Sequence, residues 1–489
     1  MTEQTSQTLL QTLIKTTFKR IWLVIVGVVA VALFFLWPVL SNSPVDYANI
    51  EDHFKYGSIG SESVNGIPYW IWRVLPKVFP DKLPGDQGYA SLGFIYEPGK
   101  DLPVGFGKRK VFIDRVGLNC AVCHTGTLRE TANSEHQVIP TMPANVLNLE
   151  GYINFISEAA KDERFTANRM LPEIEKLSGG LNPIQKLIYR YIAIPQTRDA
   201  LINQGSRLSF LNNNPEWGPG RVDTFNPYKA IQFHFPMNKL REDELIGTAD
   251  FPSIWNQKPR EGLQLHWDGN NKSVDERNKS AALGAGVTPT TIDLRRIQRV
   301  ADWLWQLKAP TYPYQVNETL AATGERLFQN NCASCHAFGG SQTGKVLPIQ
   351  EIGTDPHRLD SYTYQTLSNQ NTLFAGYPWR FKNFRKTNGY ANVPLDGVWL
   401  RAPYLHNGSV PTLRDLLEKP ENRPQNFYRG NDIFEQEKVG FVSDSPEEDG
   451  KQYFKFDTTI PGNSNTGHLY GTELSSDEKD ALVEYMKKL

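Results

Sequence analysis

The sequence predicts a mainly α chain: one N-terminal transmembrane helix, then two helical domains joined and interrupted by long loops. Three observations lead there. Residues Ile21 to Leu40, "IWLVIVGVVAVALFFLWPVL", run for twenty positions without a charge. The pattern C-x-x-C-H occurs twice, at Cys120, Cys123, His124 and at Cys332, Cys335, His336, and consumes all four cysteines of the 489 residues. The chain closes on "LSSDEKDALVEYMKKL", an amphipathic helix with a cap at its start.

Taken in order, the apolar run is long enough for roughly 30 Å of helix, one bilayer crossing. Lys15, Lys19 and Arg20 precede it and Asp46, Glu51 and Asp52 follow, so the positive-inside rule puts the N-terminus in the cytoplasm and the body on the periplasmic side of the inner membrane. Trp22 and Trp37 flank the run at interfacial depth. A cleaved secretory signal is the competing reading. The run exceeds a usual signal core, and "WPVLSNSP" offers no small-x-small cleavage site, so residues 1–45 are read as an anchor. Either reading exports the body to a compartment that suits paired cysteines.

Two cysteine motifs in the remaining chain suggest two domains, divided at "KAPTYPYQVN", where prolines interrupt helical periodicity. The expected plan is a first domain over 46–307, a linker over 308–317 and a second domain over 318–489. C-x-x-C-H is the attachment signature of a c-type haem: each thiol adds to a porphyrin vinyl group, and the adjacent His ligates iron. A thioredoxin-like disulfide needs no trailing His. A zinc site would have to join halves more than two hundred residues apart, each already carrying its own His. The expectation is therefore two covalently bound haem c groups, with His124 and His336 as iron ligands.

The composition is that of a globular body, with 11 Trp, 20 Tyr and 25 Phe available to pack around macrocycles. A net charge of −1 gives no reason to expect nucleic acid as a partner. Asn-x-Ser/Thr triplets, such as the one at Asn317, are read as chance. In the second domain, Leu320, Gly324, Leu327 and Phe328 fall at helical spacing ahead of the cysteines. At the C-terminus, Ser475 and Glu478 form a capping box, and Leu482, Tyr485 and Leu489 line one face.

This second domain resembles a class I cytochrome c, in which a Gly and an aromatic on the first helix cross a Leu and an aromatic on the last; Gly324, Phe328, Leu482 and Tyr485 match that pattern. The resemblance takes the sixth iron ligand from the loop before the terminal helix, "NSNTGHLYGTELS", which makes His468 the candidate. His406, in "APYLHNGSVPTL", is the alternative. In the first domain no Met or His occupies a position that this template calls distal, which points to an open iron suited to O2 or H2O2 chemistry.

The order of signals, haem motif, "LHWDG", haem motif, "APYLHNGSVPTL", ligand loop and terminal helix, resembles the bacterial di-haem cytochrome c peroxidase and MauG superfamily. "WGPGRVDTFN" and "FPSIWNQ" are most similar to its branch of rubber oxygenase and related di-haem dioxygenases. The resemblance implies that the first haem does chemistry and the second transfers electrons, with Trp267 lying between them. After "WDG", the peroxidases carry a Glu-Gln pair and a further Glu. Here Glu276 stands with Arg277 in place of Gln, and no second Glu follows at the usual interval. Peroxide cleavage needs a positioned acid-base group, so this departure favours oxygenation of an apolar unsaturated substrate over plain peroxidation. Glu276, Arg277, Phe233, Phe235 and Phe251 are the candidates around the first iron, and His234 or His266 would be the polar groups near it.

The implied partners are a small oxidant (O2 or H2O2), a redox protein or quinol-linked donor, and the inner membrane through the anchor. A peroxidase and a non-catalytic di-haem electron carrier are the alternative readings.

Overall fold

The computed structural model describes residues 16–23, 25–27 and 42–489. Most of the Ile21–Leu40 run lies outside the described residues, which include only the helical pieces 16–23 and 25–27 of that neighbourhood. Among the described residues no helix is long and apolar enough to cross a membrane. Spanning requires about 20 consecutive apolar residues in one helix, so the described residues do not support the expected single-pass anchor or the inner-membrane localisation built on it.

The mainly α expectation also needs correction, because helix accounts for 42% and strand for 13% of the structure. The first part of the chain is built around a four-stranded antiparallel sheet in the order β1-β3-β4-β2, with β1 at Asn42–Pro44, β2 at Ile67–Pro68, β3 at Phe106–Val111 and β4 at Ile113–Leu118. The last two strands form a hairpin that turns at Phe112, in the left-handed region at φ 65°. One face of this sheet meets the helices Tyr69–Val78 and Leu149–Lys161 in an aromatic core where Trp72 stacks on Tyr89 at 4.5 Å and Phe106 packs edge-on against Tyr152 at 5.9 Å.

Four helices then frame the site: α1 (Val274–Gly284), α2 (Leu294–Gln306), α3 (Glu318–Asn331) and α4 (Ser476–Met486). Helix α3 crosses α4 at Gly324, where a Cβ would overlap the Ala481 carbonyl oxygen, so only glycine lets the backbones approach this closely. Phe328 meets Tyr485 at 5.3 Å across the crossing, and Leu482 is fully buried beneath it. The reciprocal Ser475–Glu478 capping box starts α4.

Residues 308–317 carry no helix or strand, and within them Tyr312 packs edge-on against Trp399 at 5.3 Å. The two haem-motif regions share a polar seam: Arg129 pairs with Asp432 and with Glu448, each at 2.7 Å, and Thr127 donates to Asp432 at 2.6 Å. A second tie joins Arg429 to Asp250 at 2.8 Å. Such buried, charge-assisted bonds fix orientation where an apolar contact would slide.

Candidate haem site

Both motifs open into one cavity, lined by Cys120 and His124 on one part of its wall and by Cys332, Cys335, His336 and His468 on another. The first motif sits on a single tight turn, Cys120–Val122, started by the buried Asn119. The Asn119 side-chain carbonyl accepts from the Ala121 amide at 2.9 Å, while its amide donates to the carbonyls of Lys55 and Gly57 at 3.2 and 3.0 Å. His124 then directs Nδ1 at the Pro252 carbonyl oxygen, 2.8 Å away. A carbonyl can only accept, so Nδ1 carries the proton and Nε2 keeps its lone pair, the tautomer an iron ligand needs. Burial, with the charge of Arg277 adding to it, pushes the His124 pKa down to about 4 and keeps the ring neutral.

The second motif repeats this arrangement on a different scaffold. Cys332 ends α3, a four-residue turn carries Ala333–His336, and His336 Nδ1 lies 2.7 Å from the Val393 carbonyl oxygen. Burial pushes the thiols of Cys120 and Cys332 up to about 11 and that of Cys123 up to about 12, and no disulfide joins them. They are neutral thiols beside apolar walls.

His468 faces His336, with ring centroids 6.2 Å apart. A metal–imidazole bond is about 2 Å, so this separation matches two imidazoles on opposite sides of one ion. His468 adopts φ 47°, and its ring Nδ1 is buried without a partner. The loop is pinned by Arg423, whose guanidinium donates to the carbonyls of Asn465 at 2.5 Å, Gly467 at 3.0 Å and His468 at 3.2 Å. His468 N–H bonds to the Ile352 carbonyl at 2.9 Å. Such over-determination is what holds a non-glycine residue in the left-handed region.

Residues 389–429 match a family model described as RoxA-like, cytochrome c-like, and residues 321–392, which contain Cys332, Cys335 and His336, match cytochrome c. Residues 321–429 therefore resemble a c-type cytochrome domain of the RoxA-like kind. This similarity implies covalently bound haem c, and the donor set fits it: thiols at attachment spacing, a proximal His held by a backbone carbonyl, and a cavity wall that is largely aliphatic and aromatic. Among curated proteins, the chain is 34% identical over 250 residues to the uncharacterised protein y4iM of Sinorhizobium fredii, covering 45% of this chain and 56% of that one. A second uncharacterised protein of that organism, y4iJ, is 23% identical over 613 aligned positions, covering 96% and 99%. The chain therefore spans little more than half the length of the former.

Of the other residues singled out from sequence, the structure gathers some on the haem cavity wall and scatters the rest. Trp267, His266, His406, Phe251 and Arg277 line the cavity. His406 lies flat on Tyr390 at 3.9 Å, and its carbonyl accepts the Asp250 amide. Trp267 Nε1 donates to the Asp250 carbonyl at 2.9 Å. His266 is tied through Nδ1 to Asn270 at 2.6 Å.

Glu276 turns away from the cavity. Its carboxylate accepts the amides of Lys382 at 2.8 Å and Asn383 at 3.0 Å, and the side chains of Asn383 at 2.8 Å and Asn271 at 3.1 Å. Phe235 packs beside Trp217 and Met237, Phe233 packs edge-on to Tyr228, and His234 is exposed against Arg207. Sequence reading missed Asn119, Arg423 and the carbonyls of Pro252 and Val393. The carbonyls carry no side-chain signal at all.

Proposed function

We propose that the protein is a di-haem c-type oxidoreductase. The first haem, on Cys120, Cys123 and His124, meets O2 or peroxide at an open coordination position. The second, on Cys332, Cys335 and His336 with His468 opposite, exchanges electrons with a redox protein or quinol-linked donor. The observation that carries this reading is the asymmetry of one shared cavity: His336 is faced by a second imidazole at 6.2 Å, whereas His124 forms no such ring pair among the described residues. Two axial histidines suit electron transfer, and a single one leaves a position for an external ligand.

Oxygenation of an apolar unsaturated substrate is favoured over peroxidation by the wall around the first motif. It includes Ile59, Phe251, Ile254, Ile297, Val300 and Leu304, and the one acidic residue of the region that the peroxidase comparison would use, Glu276, is committed to four hydrogen bonds elsewhere. The protein scaffold would hold each proximal imidazole in one tautomer, keep water out with aliphatic side chains, and bring Trp267 and the Tyr390–His406 stack to the common wall. When bound, haem iron supplies the redox chemistry.

The test is a haem-to-protein ratio together with optical spectra of the reduced protein before and after carbon monoxide. Two haems per chain with one shifting supports the proposal. Two haems with neither shifting returns the protein to a pure electron carrier.

A further inference from the structure

Arg277 has no role in the reading above, yet it is the unusual residue of the cavity. It projects from α1 into the cavity that Cys120 and His124 also line. The other charged residues lining the cavity are matched: Asp250 pairs with Arg429, and Arg260 and Arg401 both pair with Asp396. Among the described residues no carboxylate lies within ion-pairing distance of Arg277, and its Nη2 is buried without any hydrogen-bond partner. An orphaned guanidinium nitrogen inside a protein is costly unless something absent from the polypeptide accepts its protons. Burial lowers the pKa of His124 and of His266, and the charge of Arg277 adds to it at both rings.

We propose that Arg277 makes the first haem site selective for small anionic ligands over neutral ones. The inference rests on the open coordination position assigned to that haem and adds the chemical class of ligand it takes: an anion whose outer atom accepts from the guanidinium. A fixed cation in a water-poor cavity attracts negative charge far more strongly than the same cation in water. No electron or proton moves in the binding step, so the selectivity is an equilibrium property of the oxidised protein.

The experiment uses the full chain with both haem positions loaded. Azide and fluoride are titrated into the oxidised protein and carbon monoxide into the reduced protein, each followed optically, for wild type, Arg277→Gln and Arg277→Lys. The expected result is an affinity loss of about tenfold or more for both anions in the Gln variant, with carbon monoxide affinity unchanged and anion affinity largely kept in the Lys variant. If Arg277→Gln binds azide and carbon monoxide as wild type does, Arg277 is neutralised by another group, such as a haem carboxylate, and the proposal fails while the open iron stands. An equal loss for anions and carbon monoxide shows a packing role and also overturns it. If wild type binds neither ligand class, the open-iron reading itself fails. Should the Gln variant not assemble, the Lys variant and the wild-type preference for fluoride over neutral imidazole decide the matter: wild type without that preference refutes the proposal.

Discussion

The two haem motifs of this chain share a proximal device and differ in everything around it. In both, a ring Nδ1 is bound to a backbone carbonyl, Pro252 at 2.8 Å for His124 and Val393 at 2.7 Å for His336. Around the second motif stand two crossed helices and a loop that delivers His468. Around the first stand a sheet edge, an aliphatic wall and an unpaired Arg277. On the proposed reading, an imidazole pinned the same way would serve two ends: the proximal side fixes the ligand, while the opposite side decides whether the iron is closed or reactive.

The strongest way to break that comparison is to remove the closing residue. His468→Ala is expected to abolish the low-spin signature of one haem entirely and leave the other unaltered, while His406→Ala leaves both low-spin and high-spin bands in place. The opposite pattern in the two optical spectra would make His406 the ligand and undo the asymmetry.

A somewhat smaller effect is expected from the two glycines that let each motif approach its support. Gly324 sits where α3 touches α4, and Gly105, at φ 93°, lies against Val122, where an added Cβ would come within 2.5 Å of the Val122 Cα. Valine at either site forces backbone apart and should cost about 3 kcal/mol or more. The comparison is sharpened if Gly324→Val, followed by thermal melts monitored at the haem bands, loosens the second haem first and Gly105→Val loosens the first.

The second motif region was far more legible in the sequence than the first, and the reason is physical. Its signals are local: a covalent attachment spacing, a capping box from Ser475 to Glu478, and Gly324 and Phe328 four residues apart on one helix face. The first region is assembled from distant pairings that no local window contains. The Val111–Ile113 hairpin also pairs with the strands at Asn42 and Ile67, contacts that no local window displays, and the expected mainly α plan holds no sheet there. Glu276 illustrates the same limit. Its neighbours in sequence suggest an acid facing iron, but the amides of Lys382 and Asn383, over a hundred residues on, draw its carboxylate away. Phe235 fails for a related reason, since an aromatic beside a haem and one beside Trp217 have the same local pattern.

Buried ionisation separates the regions further. Glu150, on the helix that backs the first sheet, accepts the Trp217 amide at 2.6 Å, and burial pushes its pKa up to about 7. A carboxyl whose folded pKa lies above its unfolded value of about 4.3 favours the native state when protonated. Its contribution is complete below pH 4.3 or so and is lost as pH rises toward 7, a difference of about 3 kcal/mol. Denaturant unfolding of wild type and Glu150→Gln across this window should show the two stability curves converging at low pH and the variant more stable at neutral pH. Parallel curves would mean that Glu150 is not protonated in the native state.

The smallest expected effect tests whether the closed iron is closed by its loop or only by its ligand. Arg423 is buried and bonds only to carbonyls in this neighbourhood, including those of Gly467 and His468, so its removal deletes no ion pair and leaves the His468 side chain chemically intact. Arg423→Met keeps most of the volume and releases the loop from its left-handed conformation at a cost of about 1 to 2 kcal/mol. The second haem should then show a minor high-spin fraction that grows on warming, with the first haem unaffected. A wholly low-spin second haem in this variant would show that iron and imidazole hold each other without help from the fold, and that the difference between the two motifs resides in one side chain.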